Sequence, residues 1–218
     1  MTFKVLNLYA GIGGNRKNWH DSYEITNIEI NGELVDNLRI NFPNDTTIRY
    51  DAMSYLQNHY HEFDFIWASP PCQTHSRMNR INSVKYSRKE FVDPSLMQII
   101  IFLRTNFEGG WIVENVTPYY GEFFDPTVIG RHCFWSNYDI THLDYKPKKH
   151  KLLDLSVTEF IDLYGIKLQK NIYPGDSHCP AQVYRNAVCP ILANKLILRY
   201  RKKTKQLKLF SSARGEKV

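Results

Sequence analysis

The residue of this chain best equipped for covalent chemistry is Cys72, in the run Ser69-Pro70-Pro71-Cys72-Gln73-Thr74-His75-Ser76. A thiolate is a strong nucleophile, and two preceding prolines fix the backbone so that the thiol is presented rigidly. A lone cysteine is more often a small buried hydrophobe. The polar company of Gln73, Thr74, His75 and Ser76 argues against that here. Reading Cys72 and His75 as metal ligands would require a second pair at suitable spacing, and the sequence offers none, so no metal centre is expected. Cys72, Cys133, Cys179 and Cys189 lack a paired CxxC spacing, which argues against a disulfide framework and for reduced thiols.

A second candidate is the turn Tyr9-Ala10-Gly11-Ile12-Gly13-Gly14. Its glycines would let the backbone approach a ligand, and a helix starting after them would aim its N-terminus at an anionic group. A tight strand-to-helix turn explains the same pattern. Glu29 follows Gly14 by fifteen residues, at the end of the next apolar run, where a carboxylate can accept hydrogen bonds from both ribose hydroxyls. Asp51 can accept from an adenine amino group or cap a helix. A nucleoside-containing cofactor accounts for both acids.

These residues need a frame that gathers them. Apolar runs at Phe3–Tyr9, Tyr23–Ile28, Thr47–Tyr50, Phe63–Ala68, Trp111–Val113 and His132–Ile140 read as strands. Between them, Asn31–Asn41, Ala52–Tyr60 and Pro94–Phe107 read as helices, and Ala187–Tyr200 as a closing amphipathic helix. Alternating strands and helices predict an α/β fold with a doubly wound, mostly parallel sheet. In such sheets ligands bind beyond the carboxyl ends of the strands, where strand order reverses. The glycine turn, Pro70-Pro71-Cys72 and Glu114-Asn115-Val116 each end a strand, so the winding brings them to one edge. Residues 1–140 are expected to hold this core, 141–175 a small segment without clear periodicity, and 176–218 a helix packing back on the core, with a basic tail.

Leu8 to Gly14, Pro71-Cys72-Gln73 and Glu114-Asn115-Val116, in that order, resemble motifs of the cytosine-5 DNA methyltransferase family. Glu29, Asp51 and Asn186-Ala187-Val188 are similar to further motifs of that family, so the resemblance spans nearly the whole chain outside 141–175. It implies a Rossmann-like class I methyltransferase fold that uses S-adenosylmethionine and releases S-adenosylhomocysteine. Tyr9, Ala10, Gly11, Ile12, Gly13, Gly14, Glu29, Asp51, Pro70, Asn186 and Ala187 would then hold the cofactor. Cys72 would add to carbon 6 of cytosine, Glu114 would supply a proton or strong hydrogen bond at ring nitrogen 3, and Arg131 would contact the base or Glu114. Pro71, Gln73, Ser76, Arg77, Arg80 and Asn115 would meet the nucleic acid, with Thr74–Lys89 as a mobile loop closing over a base swung out of the duplex. Three features depart from the family. Gly130-Arg131-His132 offers one arginine where two, separated by one residue, are usual. Arg185 replaces the glycine before the last motif. The segment at 141–175 is a much reduced target-recognition region.

Lys and Arg number 28 against 22 Asp and Glu, a net +6 that suits a polyanionic partner without demanding one. The cations cluster at Arg77, Arg80, Lys85, Arg88 and Lys89, at Lys146 to Lys151, and at Arg199 to Lys208, segments able to track a phosphate backbone. The last reads equally as a solvated helix end and tail. The expected partner is double-stranded DNA, with a second copy or another protein supplying the missing recognition surface. Cytosine methylation of tRNA, or a silent DNA-binding partner of another methyltransferase, are the competing readings. The longest apolar stretch, Leu96 to Leu103, falls far short of the roughly 18 residues that cross a bilayer, and Met1 to Val5 is no signal peptide, so a cytoplasmic protein is expected.

Overall fold

A computed structural model describes residues 2–85, 91–146, 154–173 and 179–213. In chain order the elements are β1 (Phe3–Leu8), β2 (Tyr23–Glu29), α1 (Gly32–Asn41), β3 (Thr46–Arg49), α2 (Ala52–His59), β4 (Phe65–Ala68), α3 (Arg77–Lys85), α4 (Ser95–Asn106) and β5 (Gly110–Val116). They continue with β6 (Thr127–Ile129), β7 (His132–Ser136), α5 (Val157–Tyr164), α6 (Gln182–Arg185) and α7 (Pro190–Ala213). The strands form one sheet in the order β3-β2-β1-β4-β5-β7-β6. β3 to β5 are parallel, whereas β7 runs antiparallel to both β5 and β6. Strand order reverses between β1 and β4, which is the switch point of a doubly wound sheet.

Side-chain alternation divides the core between the two sheet faces. Phe3, Val5, Ile25, Phe65, Trp67, Ile112 and Phe134 face α7 through Leu192, Ala193, Leu196 and Ile197. Leu6, Leu8, Ile28, Ile66, Ala68, Trp111 and Val113 face α2 and α4 through Ala52, Leu56, Leu96, Ile99, Ile100 and Leu103. Among the described residues, no helix is long and apolar enough to cross a membrane.

The helix expected after the glycine turn does not form; residues 15–22 are turns and bends. Their polar side chains are committed elsewhere. Asn15 Nδ2 donates to Asn7 Oδ1 (2.7 Å), Asn7 Nδ2 to Asn27 Oδ1 (2.9 Å) and Asn27 Nδ2 to Asp45 Oδ2 (3.0 Å). Arg16 grips the same Asp45 with two bonds of 2.7 and 2.9 Å. Such side-chain bonding competes with helix formation. The space is taken by the C-terminal segment: a Cβ on Gly14 would lie 2.8 Å from both Ala187 Cβ and Val188 O. Gly14→Ala should therefore overpack this contact and cost about 1–3 kcal/mol. Urea denaturation would show it as a lowered midpoint at unchanged slope, and an unchanged midpoint would contradict the packing described.

Two further expectations are corrected. The stretch read as a loop, Thr74–Lys89, contains α3, with residues 86–90, including Arg88 and Lys89, outside the described residues. Within 141–175, α5 is a regular helix with a Ser156/Glu159 capping box, and Phe160, Tyr164 and Ile166 are buried against Ala10, Ile12, Leu38 and Phe42. This part of the segment floors the core. Lys148, Lys149 and Lys151 of the second basic cluster lie outside the described residues.

Candidate active site

The switch point opens beside the turn after β1. Tyr9, Gly11 and Gly13 adopt left-handed conformations, with φ of 55°, 56° and 79°. The glycines differ in purpose. A Cβ on Gly11 would meet nothing nearer than Tyr9 O at 4.0 Å, whereas one on Gly13 would strike the Phe42 ring at 2.3 Å. Gly11 thus leaves backbone open to a ligand, while Gly13 and Gly14 are required by packing.

Glu29, at the end of β2, is 9% exposed and organises this turn. Oε2 accepts from the Gly11 N–H, and Oε1 from those of Ile30 and Asn31, all at 2.9 Å. A carboxylate offers about four acceptor positions, so capacity remains for a ribose hydroxyl. Asp51 caps α2 through the Ser54 N–H (2.8 Å), and these bonds lower its pKa. Its charge also acts on the Tyr9 hydroxyl of the turn. Burial first, then the charges of Asp51, Asp93 and Glu29, push the Tyr9 hydroxyl up to about 12. Asn186 accepts from Gln182 Nε2 (2.8 Å), and Ala187 abuts Gly14, which brings the last motif against the glycine turn. These residues fit a nucleoside cofactor: an open glycine, an acid with spare acceptor capacity and a second acid nearby. Glu29→Ala should weaken S-adenosylmethionine binding and also loosen the turn, because an amide of the turn loses its acceptor. Calorimetry well below the unfolding temperature separates the two effects; unchanged affinity would remove Glu29 from the site.

Cys72 lies just beyond β4, and Glu114 lies in the last part of the adjacent β5, opposite Phe134 of β7. The Cys72 carbonyl accepts from the N–H groups of His75 (3.2 Å) and Ser76 (3.1 Å), so Cys72 opens a single helical turn. Asn115 is buried and ties the two strand ends together, donating from Nδ2 to the Pro70 carbonyl (3.0 Å). His75, part of the polar company of Cys72, is fully buried. Its Nδ1 pairs with the Tyr120 hydroxyl (2.7 Å), and its carbonyl accepts from the Tyr119 N–H (3.0 Å). The segments following Cys72 and Glu114 are thereby clamped to each other.

The Cys72 thiol is pushed up to about 11, by burial and then by the negative charge of Glu114, against the opposing effect of Arg131. The three residues assigned to chemistry therefore share one electrostatic environment. Glu114 is 5% exposed, and its Oε1 contacts His132 Nδ1. Arg131 reaches Glu114 through His132 rather than directly: its Nε donates to His132 Nε2 (3.0 Å), and its Nη2 donates to the Arg185 carbonyl. Sequence reasoning missed His132. It also missed Tyr164, whose hydroxyl donates to the Ala187 carbonyl (3.3 Å). Burial pushes that hydroxyl up to about 12, with Arg131 opposing and the charges of Cys189 and Glu114 adding to the rise.

Outside this crevice, Pro71, Gln73, Arg77 and Arg80 are exposed and Ser76 is half-buried. The Arg80 guanidinium lies 5.5 Å from the centre of the Tyr119 ring. Gln169 and Asn171, polar residues of 141–175, line a cleft of about 280 Å³ with Lys167, Lys170 and Tyr184. That strip is fixed to α1 by the Gln169 N–H donating to Asn37 Oδ1 (3.0 Å) and by a Lys170–Glu33 ion pair (2.6 Å).

The family model for C-5 cytosine-specific DNA methylases matches residues 3–118. Among solved structures, a Spodoptera frugiperda DNMT2 mutant is 23% identical over 54% of this chain and 37% of its own, with a TM-score of 0.41. The Entamoeba histolytica methyltransferase EhMeth is 20% identical over 53% of this chain and 38% of its own, at 0.36. A putative DNA modification methyltransferase of an Escherichia coli prophage is 22% identical over 52% of this chain and 32% of its own, at 0.33. The match thus spans well under half the length of each. No curated protein matches the chain.

Proposed function

Since the chain belongs to the C-5 cytosine-specific DNA methylase family, we propose that it methylates carbon 5 of a cytosine in double-stranded DNA, with the base turned out of the duplex into the crevice between Cys72 and Glu114. The methyltransferase class and the S-adenosylmethionine cofactor go with the family. What supports the cytosine chemistry is geometric: Asn115, next to Glu114, donates to the Pro70 carbonyl two residues before Cys72, which holds the thiol and the carboxyl on neighbouring strands, close enough for the charge of Glu114 to act on the thiol.

Carbon 5 of cytosine is a poor nucleophile. Cys72 answers this by passing its thiol proton to the Glu114 carboxylate and bonding as thiolate to carbon 6, which turns the ring into an enamine as nitrogen 3 takes that proton from the Glu114 carboxyl. When bound, the cofactor supplies an electrophilic methyl group to that activated carbon. Loss of the carbon 5 proton to water, breakage of the carbon–sulfur bond and return of the nitrogen 3 proton to Glu114 then release Cys72 and the methylated base. The coupling favours this sequence. A proton on Glu114 cancels the charge that holds the thiol's proton, so the acid form of Glu114 and the thiolate of Cys72 stabilise each other. Asn115 holds the two strand ends in register.

Arg77, Arg80 and Lys85 on α3, beside the crevice, suit phosphate contacts, which position DNA without reading sequence. Side chains available for base edges are few, Gln169 and Asn171 among them. The proposed target is therefore short, roughly two to four base pairs, unless a second copy or another protein adds surface. Action on cellular DNA with reduced thiols implies a cytoplasmic setting. Bisulfite sequencing of DNA from expressing cells, with labelled methyl transfer to purified DNA and tRNA in parallel, tests the reading. Methylated cytosine in DNA at a short shared context is expected. Labelling of tRNA alone would overturn it.

A further inference from the structure

We propose that His132 is a positioning residue that dictates which oxygen of Glu114 carries the catalytic proton, in a tautomer imposed by Arg131. The inference deepens the reading of Glu114 as proton donor and rests on it.

In the antiparallel pairing of β5 and β7, Glu114 lies opposite Phe134 and Val116 opposite His132. Glu114 and His132 are thus diagonal neighbours on one sheet face, within reach of each other. His132 Nδ1 contacts Glu114 Oε1, and on the far side of the ring Arg131 Nε donates to His132 Nε2 at 3.0 Å. A guanidinium N–H can only donate and keeps its proton. Nε2 must therefore be the bare, accepting nitrogen. A neutral imidazole then has its one proton on Nδ1, where it points at Glu114. With a donor already directed at Oε1, a proton held by Glu114 belongs on Oε2, the oxygen left for the base.

Burial enforces the arrangement, since the side chains of His132 and Glu114 are 12% and 6% exposed, which leaves little room for water to replace either partner. Arg131 is itself held by the carbonyl of Arg185, one residue before Asn186 of the last motif. A chain of hydrogen bonds thus links the C-terminal segment, whose Arg185 carbonyl accepts from Arg131, through Arg131 and His132 to Glu114. The histidine at the centre of this chain has its proton fixed from behind.

The test compares His132→Leu, which removes both bonds, with His132→Gln, whose amide can accept from Arg131 and donate to Glu114. Single-turnover methylation is measured at saturating cofactor and DNA, alongside cofactor affinity. His132→Leu should slow the chemical step by roughly tenfold to a hundredfold with little change in cofactor affinity, and His132→Gln should recover most of the rate. In a Glu114→Gln background His132→Leu should have almost no further effect, because it acts through Glu114. Wild-type rate in His132→Leu, or equal losses in the Leu and Gln variants, would overturn the inference while leaving the methyltransferase reading intact. A wild-type protein that methylates no cytosine would overturn that reading and this inference with it.

Discussion

Cys72→Ala is expected to abolish methyl transfer, by roughly ten-thousandfold or more as when other enzymes lose their nucleophile, while fold and cofactor binding persist. The structure explains why the two outcomes separate. What Cys72 gives the fold is its backbone: its carbonyl receives the amides of His75 and Ser76, and alanine supplies that carbonyl equally well. Its φ of −98° and ψ of −6° are open to alanine. The substitution removes a single sulfur atom, so no large cavity results. DNA containing 5-fluorocytosine provides the decisive measurement, because fluorine at carbon 5 blocks the elimination that frees the sulfur. Wild type should be trapped as a covalent complex that survives denaturing electrophoresis. Any comparable complex with Cys72→Ala would place the nucleophile elsewhere.

Much of this site was legible because its parts sit at the ends of apolar runs. β1, β4 and β5 are buried along nearly their whole length, so their runs read cleanly and their last residues could be aligned along one edge without coordinates. What stayed hidden depends on partners distant in sequence. Asn15 and Arg16 give no local sign that Asn7 and Asp45 will recruit them, so a helix was expected where turns occur. His132 becomes significant only because β7 runs antiparallel to β5, which sets its ring beside Glu114; a parallel strand would have carried it to the opposite edge. β6 has three residues, with Val128 exposed, too short for a period to emerge. α5 did have a local signal. Ser156 and Glu159 form a capping box three residues apart, followed by Phe160 and Tyr164 one turn apart. The surrounding Lys and Asp residues obscured it, and a helix that closes the core beside the catalytic residues read as an aperiodic segment.

Glu114→Gln should move two measurable rates in opposite directions, which a merely structural role for Glu114 could not do. The chemical step of methylation should slow by about a hundredfold or more, because an amide cannot give nitrogen 3 a proton. In the free enzyme, however, the negative charge of Glu114 is the second cause, after burial, of the rise in the Cys72 thiol to about 11. Removing that charge lowers the thiol pKa, with Arg131 left to act in the same sense. At a fixed pH near 8, far below the wild-type value, more of Cys72 is then thiolate. Each thiolate is a weaker nucleophile at a lower pKa, but the loss follows a slope of only about 0.4–0.5, so the gain in thiolate fraction prevails. Alkylation of Cys72 by iodoacetamide, followed by peptide mapping to separate it from Cys133, Cys179 and Cys189, should therefore be faster in Glu114→Gln than in wild type. Slower methylation with unchanged or slower alkylation would mean that Glu114 supports the site without sharing charge with the nucleophile, and the coupled proton and thiolate chemistry proposed for the crevice would fail.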